Sequence, residues 1–459
     1  MIINKNNKPI STLFIVLSTL FVIQCAPKPI SNNTEKSTQN VTIVTKEKKD
    51  KEIYFDEDEI QFTNKTYVSN VKTVRLYKKD WELGDPVIEL GSGEQLEMRW
   101  DVLDDQFTNY QYKIIHCDKD WNKSTLNEME YMEGFNDNYV EYFENSFNSQ
   151  QNYTHYAILF PNNLVSFKKS GNYIMMIYQE NSPDQPVITR KFYISENTFT
   201  LDANVKYPTD VDERYYKQEV DFTAFFDAQE ITNPYSNIHL EISQNHRPDN
   251  ICKGLEPNFV KENQLVYNYD EENVFEGGNE FRHLDLTTHL QKTAHVRHFE
   301  YINDTLHGVI LNDVNRRFLK YLQYEDINGR YIIKNLIGNN FNLESQYVMT
   351  HFSLPCPQQK PDGDVYIFGE LSDNEIKPEF KMKYDKASKS YVGQAYLKQG
   401  YYNYNYLFVP DNAQSNFEMF EGTHFDTENE YIFKFYYSDP QNFYDRLMLY
   451  KIVNSRDTF

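Results

Sequence analysis

The pattern that most constrains this fold is a series of short segments in which apolar and polar residues alternate, or in which a few apolar residues run together. Within residues 61–198 these segments read KTVRLYKK, PVIELGS, QLEMRWDVL, YQYKIIHC, THYAILFP, NYIMMIYQ and ITRKFYIS. A period of two predicts β-strands, and the turn sequences LGDP, GSGE, KSGN and NSPDQP separate them. Seven strands in one region of this size predict a β-sandwich. The segment LNEMEYMEGF is the one short helix that we predict here.

Two more strand-rich regions follow, and the sequence PCPQQKPDGD separates them. Residues 199–356 contain QEVDFTAFF, NIHLEISQN, HVRHFEYIN, GVILN and YVMTHFSL, whereas residues 357–459 contain VYIFGEL, FKMKYD, SYVGQAYL, YYNYNYLF and EYIFKFYY. Aromatic residues make up 16% of the chain, and large flat rings pack well on pleated, half-buried surfaces. The sequence therefore predicts an all-β, multi-domain protein of tandem β-sandwich or immunoglobulin-like domains at 61–198, 199–356 and 357–459.

The N-terminus has the pattern of an export signal over residues 1–25. Lys5 and Lys8 precede a short apolar run that ends in Cys25, and this run is too short to span a bilayer comfortably. Two alternatives remain for Cys25: it is acylated after cleavage, as in a lipoprotein, or the signal is a simple export signal, since Gln24 stands where a small residue is usual. Residues 26–60 are polar and charged and are predicted to form a linker.

Charge and cysteine usage exclude several classes of function. The formal charge is −22, which would repel a phosphate backbone and argues against a nucleic-acid partner. Four sparse cysteines do not form a disulfide framework, and burial as small apolar side chains is the favoured interpretation. The chain lacks the HExxH, CxxC and G-x-S-x-G patterns. We therefore predict no catalytic residue, metal site or cofactor.

Two motifs contain residues of the types that bind metal ions or contact a partner protein. The motif HCDKDW, residues 116–121, begins at the end of an alternating strand. His116 and its neighbouring cysteine therefore point to opposite faces and cannot easily coordinate the same metal ion. The favoured interpretation is a strand-to-loop corner anchored by Trp121. In EGGNEFRHLD the paired glycines allow a positive φ or a close backbone approach. His116, Trp121, Asn279 and Arg282 are the candidate partner contacts.

The last region is similar to the immunoglobulin-like modules that bind glycogen and starch. The similarity rests on VYIFGEL, FKMKYD and LKQGYYNYNYLF. In such modules an aromatic residue just after the glycine-containing strand stacks on sugar rings, whereas this chain has Asp373 and Asn374 there. The resemblance predicts the fold, and it supplies the alternative function, that of a carbohydrate-binding outer-membrane lipoprotein. The tyrosines of the YYNYNY segment are predicted to pack on a strand face.

An ordered set of motifs over roughly residues 65–450 resembles the type IX secretion system plug protein family, long known as a domain of unknown function. The motifs include VRLYKKDWELGDPVIELGSGEQLEMRWDVLDD, YQYKIIHCDKDW, SGNYIMMIYQ, ISQNHRPDN, FEGGNEFRHLD, EDINGRYII, DGDVYIFGEL and TENEYIF. The resemblance implies a periplasmic protein at the inner face of the outer membrane. It also implies a partner, the giant translocon barrel, whose pore the protein closes without catalysis. Membrane contact would come only through that partner or a lipid on Cys25.

Overall fold

A computed structural model describes residues 61–104, 107–227 and 231–458, and Cys25 lies outside them. Strands dominate the first part of the chain, where the predicted helix is a single turn, α1 (Glu128–Tyr131). The strands are β1 (Lys65–Thr66), β2 (Val71–Lys78), β3 (Val87–Glu89), β4 (Leu96–Val102), β5 (Tyr110–Cys117), β6 (Met132–Gly134), β7 (Asn138–Tyr139), β8 (Tyr142–Asn145), β9 (Thr154–Phe160), β10 (Val165–Phe167), β11 (Gly171–Gln179) and β12 (Pro186–Ser195).

These strands form the first sandwich. One sheet has the order β1-β12-β11-β5-β7, with β3 also on β12, and the facing sheet has the order β2-β4-β9-β8. Alternation along β4 turns Leu96, Met98 and Trp100 inward, as the sequence pattern predicts. Trp100 is fully buried, and its ring stacks on Tyr156 at 5.3 Å between centroids. The core is therefore built by aromatic residues that alternate along neighbouring strands.

The next elements begin the second sandwich and then build the third. The second sandwich begins with β13 (Thr200–Lys206), β14 (Lys217–Phe225), α2 (Pro234–Asn237), β15 (Ile238–Gln244), β16 (Ile251–Lys253), β17 (Phe259–Lys261), β18 (Gln264–Tyr267) and β19 (Val274–Glu276). The third contains β20 (Arg282–Asp285), β21 (Val296–Ile302), β22 (Thr305–Ile310), β23 (Tyr331–Ile333), α3 (Phe341–Glu344), β24 (Tyr347–Pro355), β25 (Gly363–Phe368), β26 (Lys383–Asp385), β27 (Ser390–Lys398), β28 (Gly400–Pro410) and α4 (Glu418–Glu421). The chain then ends with β29 (Glu430–Asp439) and β30 (Tyr444–Asn454).

The third sandwich is inserted into the chain of the second. β29 and β30 return to complete the sheet β16-β15-β29-β30, which faces β13-β14-β18-β17 and β19 across one core. The third core lies between β21-β22-β24-β27-β26 and the strands β20, β23 and β25 on β28. The domain boundaries at residues 198 and 356 stay predictions. Two sheets nevertheless combine strands from before and after residue 356, because β15 pairs with β29 and β20 pairs with β28.

Buried polar contacts join the first sandwich to the third. Asp101 of β4 accepts a hydrogen bond of 2.6 Å from the ammonium of Lys398 in β27, and each side chain is only 1% exposed. Tyr347 and His155 donate to the same carboxylate at 2.6 Å each. Burial alone would raise the pKa of Asp101, but Lys398 and His155 outweigh burial and hold that pKa below its ordinary value. The junction is thus a buried cluster in which one carboxylate accepts hydrogen bonds from three side chains.

Candidate partner-binding loop

The corner after β5 is a structural turn, as the sequence predicts. β5 ends at Cys117, and His116 is 1% exposed, with Nε2 at 3.1 Å from the carbonyl oxygen of Ser170. Burial lowers the pKa of His116 to about 4, so the ring is neutral at ordinary pH. Trp121 is half-buried at φ +67°, and its ring meets that of Tyr193 at 5.4 Å. Their partner contacts stay a prediction, and the structure turns His116 inward.

The paired glycines of the second motif meet both of the conditions that the sequence suggests. Gly278 adopts φ +67°, which is the left-handed region that favours glycine. A Cβ on Gly277 would lie 2.0 Å from the carbonyl oxygen of His424, so no side chain fits there. His424 N donates to the carbonyl oxygen of Gly278 at 2.9 Å. The motif therefore packs, backbone to backbone, on the segment that follows α4.

The two candidate contacts in this motif, Asn279 and Arg282, make hydrogen bonds within the chain. Arg282 is 7% exposed, and its guanidinium donates to Asp313 at 2.9 Å, to Glu421 at 2.8 Å and to the carbonyl oxygen of Val314 at 2.7 Å. Asn279 Nδ2 donates to the carbonyl oxygen of Glu421 at 2.8 Å. Arg282 thus holds the start of the segment that follows β22. Contact of either residue with a partner stays a prediction.

That segment, residues 311–330, connects β22 to β23 and contains no helix or strand; we call it the Phe318 loop. Irregular loops of this length inside a compact domain are uncommon and are usually functional or disordered. This one is held by buried groups: the carboxylate of Asp313, 3% exposed, accepts from Tyr404 at 2.7 Å and from Tyr406 at 2.6 Å. The base of the loop is therefore fixed to β28.

Arg316 fixes the middle of the loop. Its guanidinium donates to Glu421 Oε2 at 2.8 Å, to the carbonyl oxygen of Glu280 at 2.8 Å and to Tyr324 Oη at 2.8 Å. Burial opposes ionisation of Glu421, but Arg282 and Arg316 outweigh burial and hold the pKa of that carboxyl below its ordinary value. We call the buried residues beneath the loop, Glu280, Arg282, Asp313 and Glu421, its floor, and Arg316 fixes the loop to that floor.

The outer side of the Phe318 loop is apolar. Phe318 is 88% exposed and Leu322 is 72% exposed, although the backbone beneath them is held in place. The exposed apolar residues of the loop are Leu311, Val314, Phe318, Leu319 and Leu322. This surface was not predicted from the sequence, because apolar residues in a strand-rich chain predict burial. The usable signal was RRFLKYLQYE, which is apolar and basic but lacks a period of two.

Two concave regions lie elsewhere on the molecule. A groove of about 410 Å³ on the first sandwich is lined by Tyr139, Tyr142 and Leu159, with the carboxylate of Glu97 beside them. A cavity of about 380 Å³ lies where the three sandwiches meet. Ion pairs on its lining include one of 3.3 Å between Arg190 and Asp373 and one of 3.3 Å between Arg330 and Asp85. These pairs tie the sandwiches together.

Other candidate chemistry has structural explanations. Tyr402, Tyr404 and Tyr406 are buried in the third core, so their rings cannot stack on a sugar in this structure. Within residues 61–104, 107–227 and 231–458, no three His, Cys, Asp or Glu side chains are grouped as metal ligands. The cysteines of those ranges, Cys117, Cys252 and Cys356, are free thiols. No helix in the same ranges is long and apolar enough to cross a bilayer.

Comparisons with known proteins agree with this architecture. Residues 71–196, nearly the whole first sandwich, match the family model described as type 9 secretion system plug protein 1st domain. The solved structure of a hypothetical protein from Parabacteroides merdae is 33% identical, with a TM-score of 0.83, and the match covers 86% of this chain and 100% of that one. No curated protein matches the chain.

Proposed function

Because the chain belongs to the type IX secretion system plug protein family, we propose that it binds the giant outer-membrane translocon barrel of that system and closes its pore between cargo passages. The observation that carries the proposal is the family match of residues 71–196, which spans β2 to β12 of the first sandwich. Membership favours a periplasmic or outer-membrane-associated location. The proposal adds that the protein acts at the inner face of the outer membrane.

The geometry suits a steric role. A protein that closes a pore by filling it must keep its shape, so its domains must not move freely relative to one another. The three sandwiches are joined by fully buried or half-buried ion pairs, such as Asp101–Lys398 and Arg190–Asp373, rather than by flexible linkers. Insertion of the third sandwich into the second adds two chain crossings between them, at 276–282 and 421–430. No bond needs to be made or broken for such a protein to act.

Affinity purification from outer membranes tests the binding step. The tagged full chain, expressed with its export signal, is recovered from detergent-solubilised outer membranes of the producing bacterium. We expect one very large barrel protein to be co-purified in stoichiometric amount. Recovery of no barrel protein, with the tagged chain itself folded and exported, would refute the proposed partner.

Uptake of a large antibiotic tests pore closure. A strain without the protein should admit a glycopeptide that ordinary porins exclude, and complementation with the wild-type gene should restore exclusion. Complementation with Lys398→Met should restore it less well, because this change loosens the junction between sandwiches, whereas Lys381→Met, at an exposed ion pair, should restore it fully. Equal antibiotic uptake in the deletion strain and its parent would contradict the proposal.

A further inference from the structure

We propose that the tip of the Phe318 loop, residues 317–322, anchors the protein in an apolar pocket of the translocon barrel whose rim carries carboxylates; this inference rests on the proposed function. Phe318 and Leu322 supply the apolar anchor, and Arg317 and Lys320 supply the complementary charge. Buried aromatic and arginine anchors dominate the binding energy of protein interfaces. The loop therefore offers the side chains that such an interface needs.

Exposure is the first argument. Most phenylalanines among the described residues are buried, yet Phe318 leaves 88% of its surface in water. The Phe318 loop carries five exposed apolar side chains, and a cluster of that kind on a soluble surface usually marks a binding site. Single exposed apolar residues need no explanation, but five on one loop do.

Rigidity is the second argument. The residue before the tip, Arg316, donates to Glu421 and to the carbonyl oxygen of Glu280 on the floor and to Tyr324 within the loop. Its backbone N–H donates to the carbonyl oxygen of Phe420 at 2.8 Å. Within the tip, Tyr321 Oη donates to the carbonyl oxygen of Asp426 at 2.9 Å, and beyond the tip Tyr324 Oη donates to the carbonyl oxygen of Glu280 at 3.2 Å. A loop that is already ordered loses little conformational entropy on binding, so a preformed projection suits a preformed pocket.

Charge decides what kind of partner fits. The whole chain carries −22, but residues 317–320 read Arg-Phe-Leu-Lys and contain two cations and no carboxylate. Arg317 pairs with Glu418 at 3.1 Å, whereas Lys320 forms no ion pair with the residues that the structure describes. Two cations favour a rim of carboxylates. They do not make a lipid anchor, since an anionic membrane surface would repel the rest of so acidic a chain.

The test compares two phenylalanines of nearly equal exposure. Phe318→Ala removes the anchor, and Phe443→Ala, at an 80% exposed turn between β29 and β30, is the matched control. Binding of each purified full chain to the solubilised barrel is titrated, with thermal unfolding as the check on folding. We expect Phe318→Ala to weaken binding about tenfold or more, in the range of a hot-spot residue, and Phe443→Ala to leave it unchanged. Lys320→Glu should weaken binding and Lys320→Gln should weaken it less.

The outcomes separate this inference from the proposed function. If the wild-type chain retains the barrel and Phe318→Ala binds equally well, the anchor is wrong and the proposed function stands. If the wild-type chain retains no barrel, the proposed function fails first. If Phe318→Ala instead abolishes binding to vesicles of anionic phospholipid and leaves barrel binding intact, the loop is a lipid anchor and the inference is overturned.

Discussion

Replacing Lys398 by methionine removes the ammonium from the ion pair that joins the first and third sandwiches. The pair measures 2.6 Å between nitrogen and oxygen, and both side chains are 1% exposed. With an effective dielectric constant near 20, the attraction at that distance is roughly 6 kcal/mol before desolvation is subtracted. Breaking a buried pair from one side costs about 3–5 kcal/mol, because the remaining charge stays buried. Asp101 keeps its bonds from Tyr347 and His155, so we expect the lower part of that range.

The chain offers a matched control. Lys381 and Asp364 form a pair with the same 2.6 Å separation, but their side chains are 44% and 45% exposed. Exposed pairs contribute roughly 0.2–1 kcal/mol, so Lys381→Met should have little effect. Trp100 is buried in the first core, so its fluorescence reports urea unfolding of that sandwich.

The test is the difference in urea midpoint between the two lysine variants. We expect the urea midpoint of Lys398→Met to fall well below that of Lys381→Met. The double variant Asp101→Asn/Lys398→Met should lose less stability than the sum of its single changes, because the two groups are in contact. Equal midpoints for the two lysine variants would show that the junction does not depend on this buried pair.

Three further predictions concern the Phe318 loop and its floor. Burial raises the pKa of Asp326 to about 7, so the protonated carboxyl stabilises the folded state. That stabilisation is complete below about pH 4, and up to roughly 4 kcal/mol of it is lost as the pH rises through 7. Asp326→Asn should flatten that part of a series of urea midpoints against pH, and an unchanged slope would contradict the assignment. Gly277→Ala should destabilise the chain more than Gly254→Ala, since a Cβ at 277 meets a backbone oxygen at 2.0 Å, whereas one at 254 meets nothing within 4 Å and adds only the strain of a left-handed φ of +77°; equal melting temperatures would contradict this. Arg316→Met should break a buried pair that is worth about 3 kcal/mol or more and speed chymotrypsin cleavage within residues 318–324. Arg317→Met, which alters an exposed pair, should leave that cleavage rate unchanged.

Local patterns were sufficient to predict the longer strands. Alternation in QLEMRWDVL, YQYKIIHC and ITRKFYIS predicts β4, β5 and β12, because successive side chains on a strand face opposite sides. Seven strands were predicted in the first region, whereas the structure has twelve there, and short strands such as β1 and β7 left no pattern. Three sandwiches were expected, and the described residues contain three large cores and two smaller apolar clusters. The pairing of β15 with β29 was not predictable, since it joins residues nearly two hundred positions apart and leaves no periodic signal in either segment.

The candidate site, too, was predictable from the sequence only in part. The glycines of EGGNEFRHLD predict a close backbone approach from their lack of a Cβ, and the structure confirms it at Gly277. Nothing in that motif indicates that Arg282 faces inward to Asp313 and Glu421, because an arginine is buried only where the fold supplies carboxylates to pair with it.

Strand identity, the all-β class and the acidic surface follow from residue order and composition, because they depend on neighbours one or two positions away. The nesting of one sandwich inside another, the paired charges at their junctions and the outward apolar tip at Phe318 depend on contacts between distant segments. An apolar residue in a sequence favours burial wherever a core is within reach. Phe318 is 88% exposed on a loop whose backbone Arg316 fixes to Glu421 and Glu280, and only the tertiary structure brings those two acceptors beside the loop.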